Sequence, residues 1–443
     1  MKSFYIKTFG CQMNVYDGQR IAAMLSARGL NATDKIDDAD KIILNTCSVR
    51  EKATNKVFSE LGRIRDRKKP DALFGIVGCV ARESGADAFR RIPELNFVLG
   101  PQSYHKLPEI LENPDAKLLN IDLSGLEKFD ALTSSIVHHP SSLAYIPIQE
   151  GCDHGCTYCI VPFTRGRELS RPFDDVMRDV QNSNATEICF LGQNVNGYKF
   201  PSPRRGGIAQ QNISNNDDAQ GDDGVGFYLS DLIRATAKIP TVKRIRFTSS
   251  YPTNFATDLI DCFKTEPKLL PFLNMPIQSG SPAVLKKMNR HYGVDEYMEI
   301  IDKLRAARPD IQISSDFIVG FPGESDADFE QTCEIARRVG YINSYSFKYS
   351  PRPHTPAAMF PDQIPENIKR GRLKILDEIL TENNRKFNAA CVGRTLPCLY
   401  ESPDRTGKNS IYRTPYMQQV IVELESKRVR ELEIIKITDA NKC

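Results

Sequence analysis

The 443-residue chain carries 59 Lys and Arg against 56 Asp and Glu, a formal charge of +3, with 40% hydrophobic residues. That is the composition of a globular protein of roughly two to four domains. It excludes a disordered chain, and so small a charge does not by itself call for a nucleic-acid partner. No apolar run approaches the ~18–20 residues that cross a bilayer. The start, MKSFYIKTFGCQMN, lacks an apolar core followed by a small-residue cleavage site. The expectation is a cytoplasmic protein with no membrane segment.

Short apolar runs alternate with amphipathic stretches over the first part of the chain. Strands are predicted at SFYIKTFG (3–10), KIILNTCSV (41–49), LFGIVGCV (73–80) and FVLG (97–100). Helices are predicted at 19–30, 50–69 and 81–92. Such alternation implies βαβ units and a parallel sheet. Residues 121–143 are polar and read as a linker.

A second alternating region follows. Its strand candidates are AYIPIQEG (144–151), EICFLGQN (187–194), RIRFTSS (244–250), FLNMPIQSG (272–280), IQISSDFIVG (311–320) and SYSFKYS (344–350). Six such units fit a whole or partial (β/α) barrel. Residues 199–226 interrupt the pattern with Gly, Asn, Asp, Gln and Ser, a composition that buries too little surface to order itself. They read as a long mobile loop after the second barrel strand. Residues 366–390 form one long amphipathic helix. Strands at 395–401, 418–425 and 432–438 then imply a small β domain.

Twelve cysteines are present. Cytosolic thiols stay reduced, so spacing is more telling than an even count. Cys189, Cys262, Cys333, Cys391, Cys398 and Cys443 read as thiols without a role. Cys152, Cys156 and Cys159 are different. GCDHGCTYC places three thiolates on one loop directly after a strand. Thiolates suit iron–sulfur clusters and zinc. Three of them can hold three irons of a [4Fe–4S] cube and leave the fourth open to a small molecule. S-adenosylmethionine (SAM) can chelate that iron, and an electron can then cleave its sulfonium. A structural zinc site needs a fourth ligand, and His154 is the only local candidate. Tyr158, between the last two cysteines, is placed to pack against adenine or against the barrel rim.

Cys11, Cys47 and Cys79 each end a predicted strand. Loops at the carboxyl ends of parallel strands share one sheet edge, so these three converge and read as a second three-cysteine cluster site. Asn14 and Asn45 flank the loops, within reach of a ligand or simply as turn residues. Gly320, in IVGFPGES, and Gln278, in PIQSGS, stand at the tops of barrel strands, where barrel sites are built. Arg165, Arg167, Arg171, Lys287, Arg290 and His291 gather near the cluster loop, suited to phosphate or to ion pairs with Glu168 and other acids.

Taken together, KTFGCQMNVYD, LNTCSVREKA, EGCDHGCTYCIVPFTRGRELSRP, FLGQNVNGY, PIQSGS, SSDFIVGFPGE and RTPYMQQV resemble the methylthiotransferase family of radical-SAM enzymes. The resemblance spans nearly the whole chain. It implies an α/β fold with a methylthiotransferase N-terminal domain over 1–118, a radical-SAM partial (β/α)6 barrel over 138–370, and a helix plus small β-barrel of the RNA-binding TRAM type over 371–438. It implies two [4Fe–4S] clusters, an auxiliary one on Cys11, Cys47 and Cys79 and a radical-SAM one on Cys152, Cys156 and Cys159. It also implies SAM, with Tyr158, Gln193, Gln278 and Gly320 as its contacts. The branch it points to thiolates and methylates C2 of N6-(dimethylallyl)adenosine at tRNA position 37. The implied partners are the tRNA anticodon stem-loop, a reducing protein such as flavodoxin or ferredoxin, and a sulfur donor, with the enzyme acting as a monomer. The alternatives are a sister enzyme acting on threonylcarbamoyl-adenosine or a ribosomal-protein aspartate, and a non-catalytic iron–sulfur or RNA-binding protein. The chain departs from the family's pattern in its 199–226 insertion, in SSYPTNF where His often precedes the Pro, and in YRTPYMQQV.

Overall fold

A computed structural model describes residues 2–48, 51–112, 117–123, 127–130, 142–201, 226–423 and 431–440. Among the described residues, most strands fall into three groups. The first begins with β1 (Ser3–Thr8), α1 (Gln12–Ser26), β2 (Asn31–Ala32), β3 (Lys41–Thr46), α2 (Glu51–Arg65) and β4 (Leu73–Gly78). It continues through α3 (Cys79–Ser84), α4 (Asp87–Arg91), β5 (Phe97–Leu99), α5 (Leu107–Glu112) and β6 (Leu118–Asn120). The strands form one parallel sheet in the order β2-β1-β3-β4-β5-β6. β3 and β4 are buried throughout, as strands covered on both faces must be. One apolar layer, with Leu44, Leu61 and Ile76, fills one face; Ile21, Leu25, Ile43 and Val77 fill the other. The helix expected over 81–92 is broken, because Gly85 takes φ +50° between α3 and α4.

The next segment, α6 (Glu127–Asp130), lies inside the expected linker. It corrects that reading: Lys128 and Phe129 are buried and anchor the segment to the fold. HHPSS lies outside the described residues, apart from Ser142.

The six barrel strands follow in the expected order. They are β7 (Leu143–Pro147), extended by β8 (Gln149–Glu150); β10 (Glu187–Leu191); β13 (Arg244–Phe247); β14 (Phe272–Asn274); the pair β15 (Gln312–Ser314) and β16 (Asp316–Val319); and β17 (Tyr345–Lys348). β7, β10 and β13 pair in parallel, as do β14 with β15 and β16 with β17. Parallel bridges Ile245–Leu269 and Gln278–Phe317 join these pieces in chain order. β15 and β16 split at Ser315, whose hydroxyl accepts the Ile277 N–H at 2.9 Å. The layer outside the strands contains α8 (Phe173–Ser183), α9 (Leu229–Ala237), α10 (Thr257–Thr265), α11 (Pro282–Lys287), α12 (Val294–Ala307), α13 (Asp326–Val339) and α14 (Glu366–Cys391). A short α7 (Val161–Arg165) and β9 (Leu169–Ser170), which pairs with β8, lie over the strand ends. α14 sends Leu376 and Leu380 into the barrel core.

The ends of the 199–226 segment are not loop. β11 (Lys199–Pro201) and β12 (Gly226–Tyr228) pair antiparallel, and Phe227 stacks on Phe173 at 4.2 Å. Those aromatics supply the apolar surface that the interior of the segment lacks; residues 202–225 lie outside the described residues.

β18 (Thr395–Pro403), β19 (Ser410–Arg413), β20 (Gln419–Val422) and β21 (Leu432–Lys436) make a four-stranded antiparallel sheet, in the order β20-β19-β18-β21. Among the described residues this sheet is open, where a small barrel was expected, because β20 and β21 end as its edges. It packs on the barrel end opposite the site: Phe272 and Ile342 join its core, and Arg244 donates to the Arg413 and Pro397 carbonyls. Among the described residues, no helix is long and apolar enough to cross a membrane.

Candidate metal centres

β1, β3 and β4 are adjacent, so their carboxyl ends bring Cys11, Cys47 and Cys79 to one edge. Cys11 caps α1, Cys47 follows β3, and Cys79 opens α3. Two glycines allow this convergence. Gly10 takes φ +109°, and a Cβ there would overlap the Cys47 side chain; Gly78 takes φ +95° against the Thr46 carbonyl. Asn14 and Asn45 brace the loops, and Asn14 Oδ1 also accepts the Cys11 thiol at 3.5 Å. The Asn14 amide donates to the Thr46 carbonyl at 2.7 Å and the Phe9 carbonyl at 3.1 Å, and Asn45 donates to the Asn14 carbonyl at 2.6 Å. A hydrogen bond from Cys47, helped by the Arg165 charge, lowers the Cys11 thiol to about 6. Burial raises Cys79 against the same arginine.

The second triad sits on the loop after β8. Gly151, at φ +80°, lies so close to the Arg167 carbonyl that no side chain fits. Its N–H donates to the Gln193 side chain at 2.6 Å, and the Cys152 N–H donates to the Gly166 carbonyl at 3.3 Å. Gln193 thus holds the loop from the second barrel strand. From the other side, KMNRHY clamps the loop. Asn289 donates to the His154 and Gly155 carbonyls at 3.2 and 3.1 Å, and Thr157 donates to the Lys287 carbonyl at 2.8 Å. Half-buried Arg290 donates to Cys156 Sγ at 3.4 Å and lies 4.6 Å from the Tyr251 ring. His154 stacks on that same ring at 3.5 Å. Burial pushes Cys152 up to about 11 and Cys159 up to about 12. A metal must therefore displace protons to bind there.

Two triads of thiols on glycine-shaped loops fit iron–sulfur groups by donor chemistry. Among the described residues, no three Cys, His, Asp or Glu side chains form a group that could hold a metal ion as they stand. A cube spreads its thiolates over separate irons, so it needs them farther apart than a single ion does.

The four expected SAM contacts are not equally placed. Gln193 and Tyr158 adjoin the second triad, and Tyr158 packs beside Val284, Met288 and Phe321 at the barrel rim. Gln278 bridges to Phe317 with φ +72°. The Gly320 N–H already donates to Glu324 at 2.6 Å, and buried Arg372 holds that carboxylate at 2.7 Å. A cleft of about 520 Å³ reaches Cys152 between Gln102, Leu123, Asp153, Pro162 and Arg167.

Arg165 and Arg171 correct the phosphate reading, because both are buried and paired. Arg171 meets Asp179 at 3.0 Å. Arg165 joins Glu150 at 2.5 Å and Asp17 at 3.2 Å, and Lys128 meets Glu150 at 2.7 Å and Asp17 at 3.6 Å. None of these four side chains is more than 3% exposed. Asp17, Lys128 and Glu150 have no signal in the sequence beyond Phe129, an aromatic in a polar stretch, which hints that its neighbourhood is buried.

Two family patterns match this chain: residues 3–100 match the uncharacterized protein family UPF0004, and residues 146–336 match the Radical SAM superfamily. The tRNA-2-methylthio-N(6)-dimethylallyladenosine synthase of Rickettsia conorii is 45% identical over 454 residues, covering 99% of this chain and 98% of the relative. The protein of the same name from Maricaulis maris is 42% identical, covering 100% and 96%. Among solved structures, the cobalamin-dependent S-adenosylmethionine radical enzyme OxsB aligns at TM-score 0.47 and 11% identity, over 85% of this chain and 56% of that one.

Proposed function

We propose, for a chain that belongs to the family of the tRNA-2-methylthio-N(6)-dimethylallyladenosine synthases, that it carries out the reaction in that name. It is a radical-SAM methylthiotransferase that converts N6-(dimethylallyl)adenosine at tRNA position 37 to its 2-methylthio derivative. Its cofactors are two [4Fe–4S] clusters and SAM. The observation that carries this reading is the pairing, in one chain, of a CxxxCxxC loop at a barrel mouth with three cysteines gathered from three adjacent strand ends.

Cys152, Cys156 and Cys159 would hold the radical-SAM cluster, and Cys11, Cys47 and Cys79 the auxiliary one. When bound, these groups supply a 5′-deoxyadenosyl radical for hydrogen abstraction at C2 and sulfur for the new bond, with a further SAM giving the methyl group. The chain's own part is positional. Gln193, Asn289 and Thr157 fix the cysteine loop, and Gly10 and Gly78 bring the other three thiols together. Tyr158 and Gln193 are the SAM contacts that this placement favours. Gln278 and Gly320 would act through the shape of the barrel rim.

The three strand groups support a division into domains over 1–118, 138–370 and 371–438, with α14 (Glu366–Cys391) spanning the last boundary. The C-terminal sheet would hold the anticodon stem-loop. A flavodoxin or ferredoxin would supply electrons and a separate donor the replacement sulfur, to a monomer in the cytoplasm.

Nucleoside mass spectrometry of tRNA from a deletion strain tests the reading. The expected result is loss of 2-methylthio-N6-(dimethylallyl)adenosine, restored by the parent gene but by neither Cys152→Ala nor Cys47→Ala. With purified protein, Cys47→Ala keeps SAM cleavage and Cys152→Ala does not. An unchanged nucleoside in the deletion strain sinks the substrate assignment.

A further inference from the structure

Each triad has one guanidinium beside it: half-buried Arg290 at Cys156, and buried Arg165 near Cys11 and Cys79. Arg165 has the more unusual place. Its chain position is just past the second triad, yet its side chain reaches into the first. One nitrogen donates to Asn14 Oδ1 at 3.2 Å, the same oxygen that accepts the Cys11 thiol at 3.5 Å. The same nitrogen meets Asp17, and the other terminal nitrogen meets Glu150, two residues before Cys152. The backbone is tied as well. The Arg165 carbonyl accepts from Gln102 at 2.8 Å, and the next carbonyl, of Gly166, accepts the Cys152 N–H. One residue thus links the loops of both triads.

We propose that Arg165 is a positioning residue that ties the two cysteine sites together and sets the reduction potential of the group bound by Cys11, Cys47 and Cys79. A buried positive charge near the thiolates stabilises the more negative, reduced state. Arg165, Cys47 and Cys79 are buried, so water screens this charge less than it would at the surface. Hydrogen bonding and net charge around the sulfurs are recognised determinants of iron–sulfur potentials. A purely structural salt bridge would alter stability and leave the potential where it was. The proposal rests on the first triad holding an iron–sulfur group.

The test uses full-length protein with Cys152, Cys156 and Cys159 all changed to Ala, so that only the first triad can load. After anaerobic reconstitution, iron quantitation reads loading and an EPR-monitored titration reads the midpoint potential. Arg165→Met shifts the midpoint negative. Arg165→Lys, which keeps the charge without the fork, lies between it and the parent. Arg167→Met, at an exposed site nearby, leaves the midpoint unmoved. Asp17→Asn removes a negative charge and shifts it positive, and serves as the second test where Arg165→Met does not fold. An unmoved midpoint in iron-loaded Arg165→Met or Asp17→Asn overturns the proposal, as does an equal shift from Arg167→Met. A parent that binds no iron overturns instead the assignment of the first triad, and the proposal with it.

Discussion

Lys128 offers the sharpest test of the packing between the first sheet and the barrel. Its ammonium is fully buried, bonded to Glu150 at 2.7 Å and to the Pro101 carbonyl at 3.2 Å, with Asp17 at 3.6 Å. Lys128→Met keeps most of the stem's bulk and removes the charge, so the loss is electrostatic rather than a cavity. It leaves two buried carboxylates facing one arginine. Removing one partner of a buried pair costs about 3–5 kcal/mol, because the other charge is stranded. The additional protein hydrogen bond to Pro101 is worth about 1 kcal/mol; the expected total is therefore near the upper end of that range. The assay is urea unfolding of the metal-free protein followed by far-UV circular dichroism, since the chain has no Trp. A chain with several packing units need not unfold in one step, so variants are compared at the same transition. The double variant Lys128→Met/Glu150→Gln restores neutrality and should be more stable than the two single losses added, by roughly 1–3 kcal/mol. A loss below about 1 kcal/mol for Lys128→Met, or strict additivity in the double variant, refutes the reasoning.

Three further outcomes follow from the site. Gly10→Ala, which would force a Cβ into Cys47, should leave a folded protein with roughly half the parent iron after reconstitution, the second triad still loading. Arg290→Gln removes the charged donor at Cys156 and the cation over Tyr251, so iron loading at the second triad should fall while Gly10-dependent loading stays; equal loss at both sites would count against a local role. Burial raises Glu168 to about 7, with Asn194 bonding its carboxylate at 3.0 Å. Its raised folded value means the folded state holds the proton more tightly, so metal-free stability should fall as pH rises from about 4.5 to about 7 and then level, by up to about 3 kcal/mol. Glu168→Gln should flatten that slope, as read by denaturation across pH.

Much of the fold was legible because its signal is local. Apolar runs such as KIILNT and LFGIVG have the length and β-branched content of buried parallel strands, and all six barrel strands stand where the alternation placed them. What failed was also local in cause. The linker reading weighed the polarity of 121–143 and overlooked Phe129, which packs with Met13, Tyr16 and Leu191. The loop reading of 199–226 averaged over its ends, where Phe200 pairs with Phe227, one residue past the segment, across a two-stranded ribbon. The C-terminal strands announced a small β domain, which is the antiparallel sheet observed; the barrel came from the family resemblance, and strand spacing alone cannot say whether edges close.

The site divides along the same line. Cysteine convergence was legible because a parallel sheet turns strand ends into neighbours, a rule that needs only strand order. The roles of the arginines were not, because charge in a sequence does not say what it faces. Arg165 and Arg171 look like surface cations in FTRGRELSRP, yet their partners are Asp17, Glu150 and Asp179, remote in the chain for the first of these. No periodicity marks such pairs. They exist because the barrel's strand ends abut the first sheet's cysteine edge, and that seam buries polar groups from both. A buried charge is tolerated only when matched, so the seam selects two acids and two bases in balance. The same balance fixes the register between the cysteine loops, since Glu150 and Arg165 flank one triad while Asp17 and Asn14 belong to the helix capped by Cys11. A one-residue slip of α1 would separate Asp17 from both of its cations.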